Sequence, residues 1–519
     1  MTTPTRKPGY TGDLPPQAFN MAAYVIGRAA RVTPDKIALL VYADADAHQP
    51  GETWTYRDIE TATLRIAAGL SARGLRPGDR LLIRLDNTSA YALMFFGAIA
   101  AGLVPLATST HLSEDEAAFL VADSGARAIA LADHLPRPLA AGIDVITAED
   151  VARMMREATP SDGYAATRAD DPAYMVYTSG TTASPKGVLH AQRAAWGRRP
   201  MYQGWYGIGA DDRMLHAGAF NWTFTLGTGL TDPWANGATS IIYTGEKDPA
   251  LWPRLIAKTG ATLFAAVPGV FRQMLKYASA SDIGALGNLR HGLTAGETPP
   301  PGLFDAWRAA SGRDLHEALG MSEISTYIST SPSNPRRAGS IGRPQAGRCV
   351  AILPEDGGET PLPPGEIGLL ALHRSDPGLM LGYWQRPDEE AEVMRGDWFV
   401  GGDLASMDAD GYVTHHGRAN DIMKALGYRV APQEVEAVLA RFPEVAEVAC
   451  AERTVRDGVS VIAAYIVARD ASQPPDANAL MAFAAEHLAP YKCPREVVYV
   501  TALPRTANGK ILRRALQVK

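Results

Sequence analysis

Between residues 177 and 187 the chain reads YTSGTTASPKG, and the ten residues from Thr178 to Gly187 hold two glycines, five hydroxyl side chains and one lysine. Glycine has no Cβ and tolerates positive φ, so its backbone can come close to a ligand, while hydroxyls, amides and an ammonium supply donors. That inventory suits a polyphosphate. The same composition could make a flexible linker. However, the apolar run from Ala173 to Tyr177 reads as a buried strand, and the residues from Val188 onward have helical spacing, so the pattern predicts strand, loop, helix. The GxxxxGK[ST] of a Walker loop is absent, which separates this loop from ordinary P-loop chemistry.

The elements that must position such a loop follow from composition and patterning. A chain of 519 residues has room for about three or four domain-sized units. With 46% hydrophobic and 20% charged residues it is globular, and a net charge of −6 carries no basic footprint for nucleic acid or an anionic membrane. Anionic ligands must therefore be met by local charges. Cys349, Cys450 and Cys493 lie far apart without CxxC spacing, which argues against a zinc site or a disulfide framework and fits a reducing, cytoplasmic setting. The polar, Pro-rich N-terminus lacks the apolar core of a secretory signal. The apolar stretch 91–107 contains Pro105 and falls short of the roughly 20 residues of a membrane span, so it reads as a buried core helix.

Apolar runs at IALLVY, RAIALA, PAYMVY, ATSIIY and ATLFAAVP alternate with amphipathic helical spacing, which predicts an α/β architecture. From about 340 to 415 the texture changes to short strands and turns, a β-rich subdomain, and beyond Gly417 two helical patterns and two strand-like runs predict a small α+β domain.

Five stretches now stand in one order: YTSGTTASPKG (177–187), GMSE (320–323), GDWFVGGD (396–403), GRANDIMKALGYRVAPQEVE (417–436) and PRTANGK (504–510). In this the chain resembles the adenylate-forming enzymes, and specifically an AMP-forming acyl-CoA synthetase. TAGE at 294–297 and LAPYKCPREVVYV at 488–500 are similar to the medium-chain and benzoate-type CoA ligases. The resemblance implies a large N-terminal AMP-binding domain over 1–416, a hinge at 417–421 and a mobile C-terminal domain over 422–519. It also implies ATP, Mg2+ and coenzyme A as cofactor set, small-molecule partners, no nucleic acid, no membrane span, and room for a homodimer.

A carboxylate is a poor electrophile, so the acid is first joined to AMP with loss of pyrophosphate and then transferred to CoA. The resemblance places Lys510 as the cation bridging acyl oxygen and α-phosphate. It gives Thr178, Ser179, Gly180, Thr181, Thr182 and Lys186 to the phosphates, with Thr181 in the catalytic set. Gly296, Glu297, Leu319, Gly320 and Ser322 fall to AMP, and Glu323 is the magnesium-associated carboxylate, a hard oxygen ligand. Leu319 replaces the usual Tyr against adenine, Ser322 the usual Thr, and Gly401 the Thr before the ribose-binding carboxylate Asp403. Arg418 holds phosphate or ribose oxygens, and Asn420 occupies the usually acidic hinge position. Lys424 assists thioester formation, with Gly427, Tyr428 and Arg429 on the CoA face. The Phe-His pair that faces the acid in many relatives falls on Phe220 and Asn221, with Trp222 beside them. A medium-sized apolar pocket for a ring or a short to medium acyl chain is the expectation. His216 and His291 read as polar core or pocket-wall residues, and His415-His416 lack a third ligand at metal spacing.

The alternative is an adenylating enzyme that loads its acyl group onto a separate carrier protein, although no carrier segment follows within the chain. An acid-binding scaffold without catalysis is disfavoured by the joint presence of Lys186, Glu323, Asp403, Arg418 and Lys510. Nothing here identifies an oxygenase.

Overall fold

A computed structural model describes the chain except for residues 1–7, 48, 138–141, 179–184, 301, 422, 426–427, 457–458, 506–510 and 518–519. It divides into two compact units: Met1–Gly296, Phe304–Cys349 and Leu372–Asp397 form the first, and Glu297–Leu303, Val350–Ala371 and Trp398–Lys519 the second. The architecture is α/β, as the alternating pattern requires.

The first unit holds two large sheets. One is nine-stranded, and its central strands run parallel in the order Asp314–Met321, His291–Ala295, Leu263–Ala266, Arg213–His216, Thr239–Tyr243, Ile37–Tyr42. The other is seven-stranded, with Pro172–Thr178, Val104–Ala107, Arg80–Arg84, Ala128–Leu131 and Asp144–Thr147 parallel. Parallel strands covered on both faces must be apolar throughout, and the runs TSIIY, LFAA, VPLA and AIAL are buried at every position. The helices announce their starts: Thr55 with Asp58, Ser113 with Glu116 and Thr147 with Asp150 form reciprocal capping boxes. Helix Ser89–Ala100 has almost every residue buried, which explains its continuous apolar sequence, and among the described residues no helix is long and apolar enough to cross a membrane.

One local expectation is overturned. The residues after the Gly/Ser/Thr-rich stretch are not a helix: Lys186–Ala191 is a strand antiparallel to Pro172–Thr178, with Thr178 opposite Lys186 and Val176 opposite Val188. Short apolar runs fit either period, and pairing of the β-branched Val188 across the sheet outweighs the local spacing.

In the second unit, strands Val350–Leu353, Ile367–His373, Trp398–Met407 and Val413–Arg418 carry the β-rich texture. A hairpin pairs Met423–Ala425 with Tyr428–Val430. A three-stranded sheet of Val445–Arg456, Val459–Ala468 and Glu496–Tyr499 is covered by helices Pro432–Leu439 and Ala477–His487, through a core that includes Val435, Leu439, Ile462, Ile466 and Leu480.

Candidate active site

In the first unit, the candidate residues gather where strands end. In parallel sheets ligands bind beyond the carboxyl ends of the strands. Gly296 follows strand His291–Ala295, Phe220 to Trp222 follow strand Arg213–His216, and Ser322 and Glu323 follow strand Asp314–Met321. These strands belong to one sheet and run in one direction between 213 and 321, so the acid-pocket and nucleotide candidates share a rim.

Lys186 and Glu323 are joined by a residue that the sequence reading missed. The Lys186 ammonium lies 4.5 Å from the centre of the Tyr383 ring, and the Tyr383 hydroxyl donates to Glu323 Oε1 at 2.8 Å. Lys186 Nζ also pairs with Glu389 Oε2 at 2.5 Å, a second omission. The link is built by backbone: Met380 N–H donates to Glu323 O, Leu381 N–H to Leu189 O and Trp384 N–H to Gly187 O. The signal available was GYWQRPDEE at 382–390, an aromatic pair before an acidic helix start, but nothing in its spacing tied it to Lys186.

Gly320 could be nothing else, because a Cβ there would stand 2.4 Å from Ser325 O. Beside it Leu319 is half-buried in strand pairing with Ile328. The Ser322 carbonyl accepts from His190 Nε2 at 2.8 Å, and burial pushes His190 down to about 3, so its ring is neutral. On the same strand as Leu319, burial raises the Glu317 carboxyl to about 7.

Gly296 has φ +95, and a Cβ on it would meet Trp222 Cη2 at 2.5 Å, so the indole packs directly on this turn. Trp222 meets Phe224 edge to face at 5.6 Å between centroids, and the Phe220 ring stands 5.6 Å from Tyr91. Phe220 N–H donates to Asn87 Oδ1 at 2.8 Å, and Asn221 is half-buried between these aromatics in sequence. His216 and His291 are buried: His216 Nδ1 accepts from Gly218 N–H, and His291 Nε2 is 2.9 Å from Tyr206 O.

In the second unit, Asp403 is buried, and its Oδ1 lies 3.1 Å from both His415 Nε2 and Arg418 Nε. Arg418 also donates to Gly401 O at 2.5 Å, across an antiparallel register that sets Asp403 opposite Arg418. Glu297 is half-buried. Asn420 occupies a short turn, Ala419–Asp421, and Lys424 stands opposite Arg429 in the hairpin with Tyr428 opposite Ala425. Ser179, Gly180, Thr181, Thr182, Gly427 and Lys510 lie outside the described residues. Among the described residues no group of three or more His, Cys, Asp or Glu is placed to hold a metal ion.

The family model of the AMP-binding enzymes matches residues 26–384, and that of the AMP-binding enzyme C-terminal domain matches residues 434–510. The chain belongs to the AMP-binding enzyme family. Among its relatives is a 3-hydroxybenzoate--CoA/4-hydroxybenzoate--CoA ligase of Thauera aromatica, 29% identical over 97% of this chain and 98% of that one. A benzoate--CoA ligase of the same organism is 30% identical over 96% and 95%. The crystal structure of a benzoate CoA ligase from Burkholderia xenovorans superposes with a TM-score of 0.84 at 28% identity, covering 96% of this chain and 100% of that one. This AMP-binding enzyme is an acid–thiol ligase, an AMP-forming acyl-CoA synthetase with ATP and CoA as co-substrates.

Proposed function

We propose that this ligase activates a small aromatic carboxylic acid, joining it to CoA through an acyl-AMP intermediate. The observation that carries the reading is the ring-lined stretch at the strand rim, with Phe220 against Tyr91 and Trp222 seated on Gly296. Aromatic walls favour a flat apolar guest, and the relatives named above act on benzoate and hydroxybenzoates.

In the first step an acid oxygen attacks the α-phosphorus of ATP and pyrophosphate leaves. Two anions must meet, so cations are needed where charge accumulates. Lys186, with Thr178 and the hydroxyls Ser179, Thr181 and Thr182 around Gly180, holds the outer phosphates. Lys510 bridges acid and α-phosphate. Leu319, Gly320 and Ser322 hold the AMP portion with Gly296 and Glu297, and Asp403 accepts the ribose hydroxyls with Arg418 beside it. Glu323 fits a magnesium ion as a single protein ligand, a hard carboxylate oxygen oriented by Tyr383. When bound, such an ion neutralises polyphosphate charge. In the second step the CoA sulfur attacks the acyl carbon and AMP leaves. Movement about Asn420, in the hinge 417–421, exchanges Lys510 for Lys424 and the CoA face Gly427, Tyr428 and Arg429. A cytoplasmic, soluble setting and pairing of two copies complete the proposal.

The test is pyrophosphate release with ATP, Mg2+ and CoA across benzoate, hydroxybenzoates, cyclohexanecarboxylate and straight-chain acids. The expected result is the highest kcat/KM for a benzoate, dependent on CoA. Preference for a straight-chain acid refutes the aromatic reading, and acid-dependent AMP formation without acyl-CoA refutes CoA as the acceptor.

A further inference from the structure

The turn that carries Glu323 is gripped from two sides by buried side chains outside every role assigned above. His190 is only 2% exposed, and its Nε2 lies 2.8 Å from the Ser322 carbonyl oxygen. A carbonyl can only accept, so His190 must donate from Nε2, and its ring is fixed by stacking on Tyr174 at 4.6 Å and 12° between planes. Tyr174 belongs to the strand that leads into Thr178.

From the other side Arg198 donates through Nη1 to Ser325 Oγ. Arg198 is itself immobilised: Nε and Nη2 donate to Asp232 at 2.8 and 2.6 Å, and Tyr206 donates to the same carboxylate at 2.7 Å. The Asp232 side chain is fully buried and that of Arg198 nearly so. Ser325 holds φ +75, a left-handed conformation that strains a non-glycine residue. Two buried donors and a strained residue therefore fix the four residues from Ser322 to Ser325.

We propose that His190 and Arg198 are positioning residues for nucleotide binding, clamping the Ser322–Ser325 turn so that Ser322 and Glu323 are preset before ATP arrives. This rests on the reading of Leu319 to Glu323 as the AMP-binding strand end. Neither side chain touches the nucleotide. The clamp removes the ordering cost that a mobile turn would charge against each binding event.

The experiment measures AMP binding to the full chain by calorimetry, KM for ATP and for the acid in pyrophosphate release, and melting temperature. The variants are His190→Leu, His190→Gln and Ser325→Gly. His190→Leu removes the donor and keeps much of the volume; it should weaken AMP binding and raise KM for ATP at least tenfold, with KM for the acid within twofold. His190→Gln restores a donor and should recover to within threefold of wild type. Ser325→Gly relieves the positive φ and cuts the Arg198 contact, so it should melt no lower than wild type yet bind AMP several-fold more weakly. Wild-type AMP affinity in His190→Leu overturns the clamp, as does a His190→Gln variant no better than His190→Leu, which would assign the effect to ring packing. Should His190→Leu fail to fold, wild-type affinity in Ser325→Gly overturns it alone. A wild-type chain that binds no AMP refutes the nucleotide reading itself, whereas firm wild-type binding with indifferent variants refutes only the clamp.

Discussion

Replacing Glu389 with Gln should make the enzyme bind ATP more tightly. Lys186 is the phosphate cation of the proposed mechanism, yet its ammonium is paired with Glu389 at 2.5 Å, with side-chain exposures of 12% and 24%. An incoming phosphate must compete with that carboxylate. At roughly 3 to 4 Å between charge centres and an effective dielectric near 20, the gross attraction is about 4 to 5.5 kcal/mol. Solvent access, desolvation and the hydrogen bond that Gln can still accept reduce the net difference to about 1 kcal/mol. A change of that size corresponds to a roughly fivefold lower KM for ATP. Initial rates of pyrophosphate release against ATP, at saturating acid and CoA, measure it directly. The acid KM should not move. A Lys186→Met background should erase the effect, because a cycle reports coupling only while both partners are present. A raised KM for ATP in Glu389→Gln would refute the competition argument and make Glu389 an aligner of Lys186.

Gly296→Ala should raise KM for the acid about tenfold or more, since a Cβ there meets Trp222 at 2.5 Å and φ is +95; unchanged acid kinetics would detach Trp222 from the pocket. Lys510→Ala should suppress pyrophosphate release by orders of magnitude, whereas Lys424→Ala should slow thioester formation from preformed acyl-AMP more than adenylation. Equal losses in both half-reactions for either lysine would refute that division. Stability should fall below pH 6.5: burial holds His190 and His216 near 3 and His291 and His316 near 4, against 6.5 for an unburied imidazole. The unfolded chain takes up protons there that the folded chain refuses, so the stabilisation is complete above 6.5 and is lost toward 3 to 4. Each group then removes up to about 1.4 kcal/mol per pH unit, with the contacting pair His291 and His316 not strictly additive. Equal urea midpoints at about pH 7.5 and 5.5 would contradict this.

The parallel strands were legible because burial on both faces leaves no polar alternation to interpret, and Ala128–Leu131 and Leu263–Ala266 stand where their apolar runs place them. The strand Lys186–Ala191 was not, because its partner across the sheet decides its conformation and a single-chain period cannot see that partner. Tyr383 and Glu389 were missed for a related reason. They follow Lys186 by about two hundred residues in sequence, and only the backbone bonds from Leu381 and Trp384 to the strand bring them beside it. Gly320 was legible as a glycine in GMSE, but its necessity comes from the Ser325 carbonyl that fills the place of a side chain.

Lys186, Val188 and His190 alternate along one strand and so project to one side of the sheet, where Tyr383 pairs opposite Val188 and Tyr174 opposite His190. The chain is thereby unequal in its tolerance of insertion and deletion. A residue gained or lost within 179–185 keeps the alternation of the strand but alters the loop proposed to hold the phosphates. One gained or lost between Gly187 and Leu189 would turn Lys186 and His190 to opposite sides, so the phosphate cation and the Ser322 donor could not both survive a frame slip of a single residue. Across descendants of this chain, length variation should therefore be absent from Lys186 and the four residues after it.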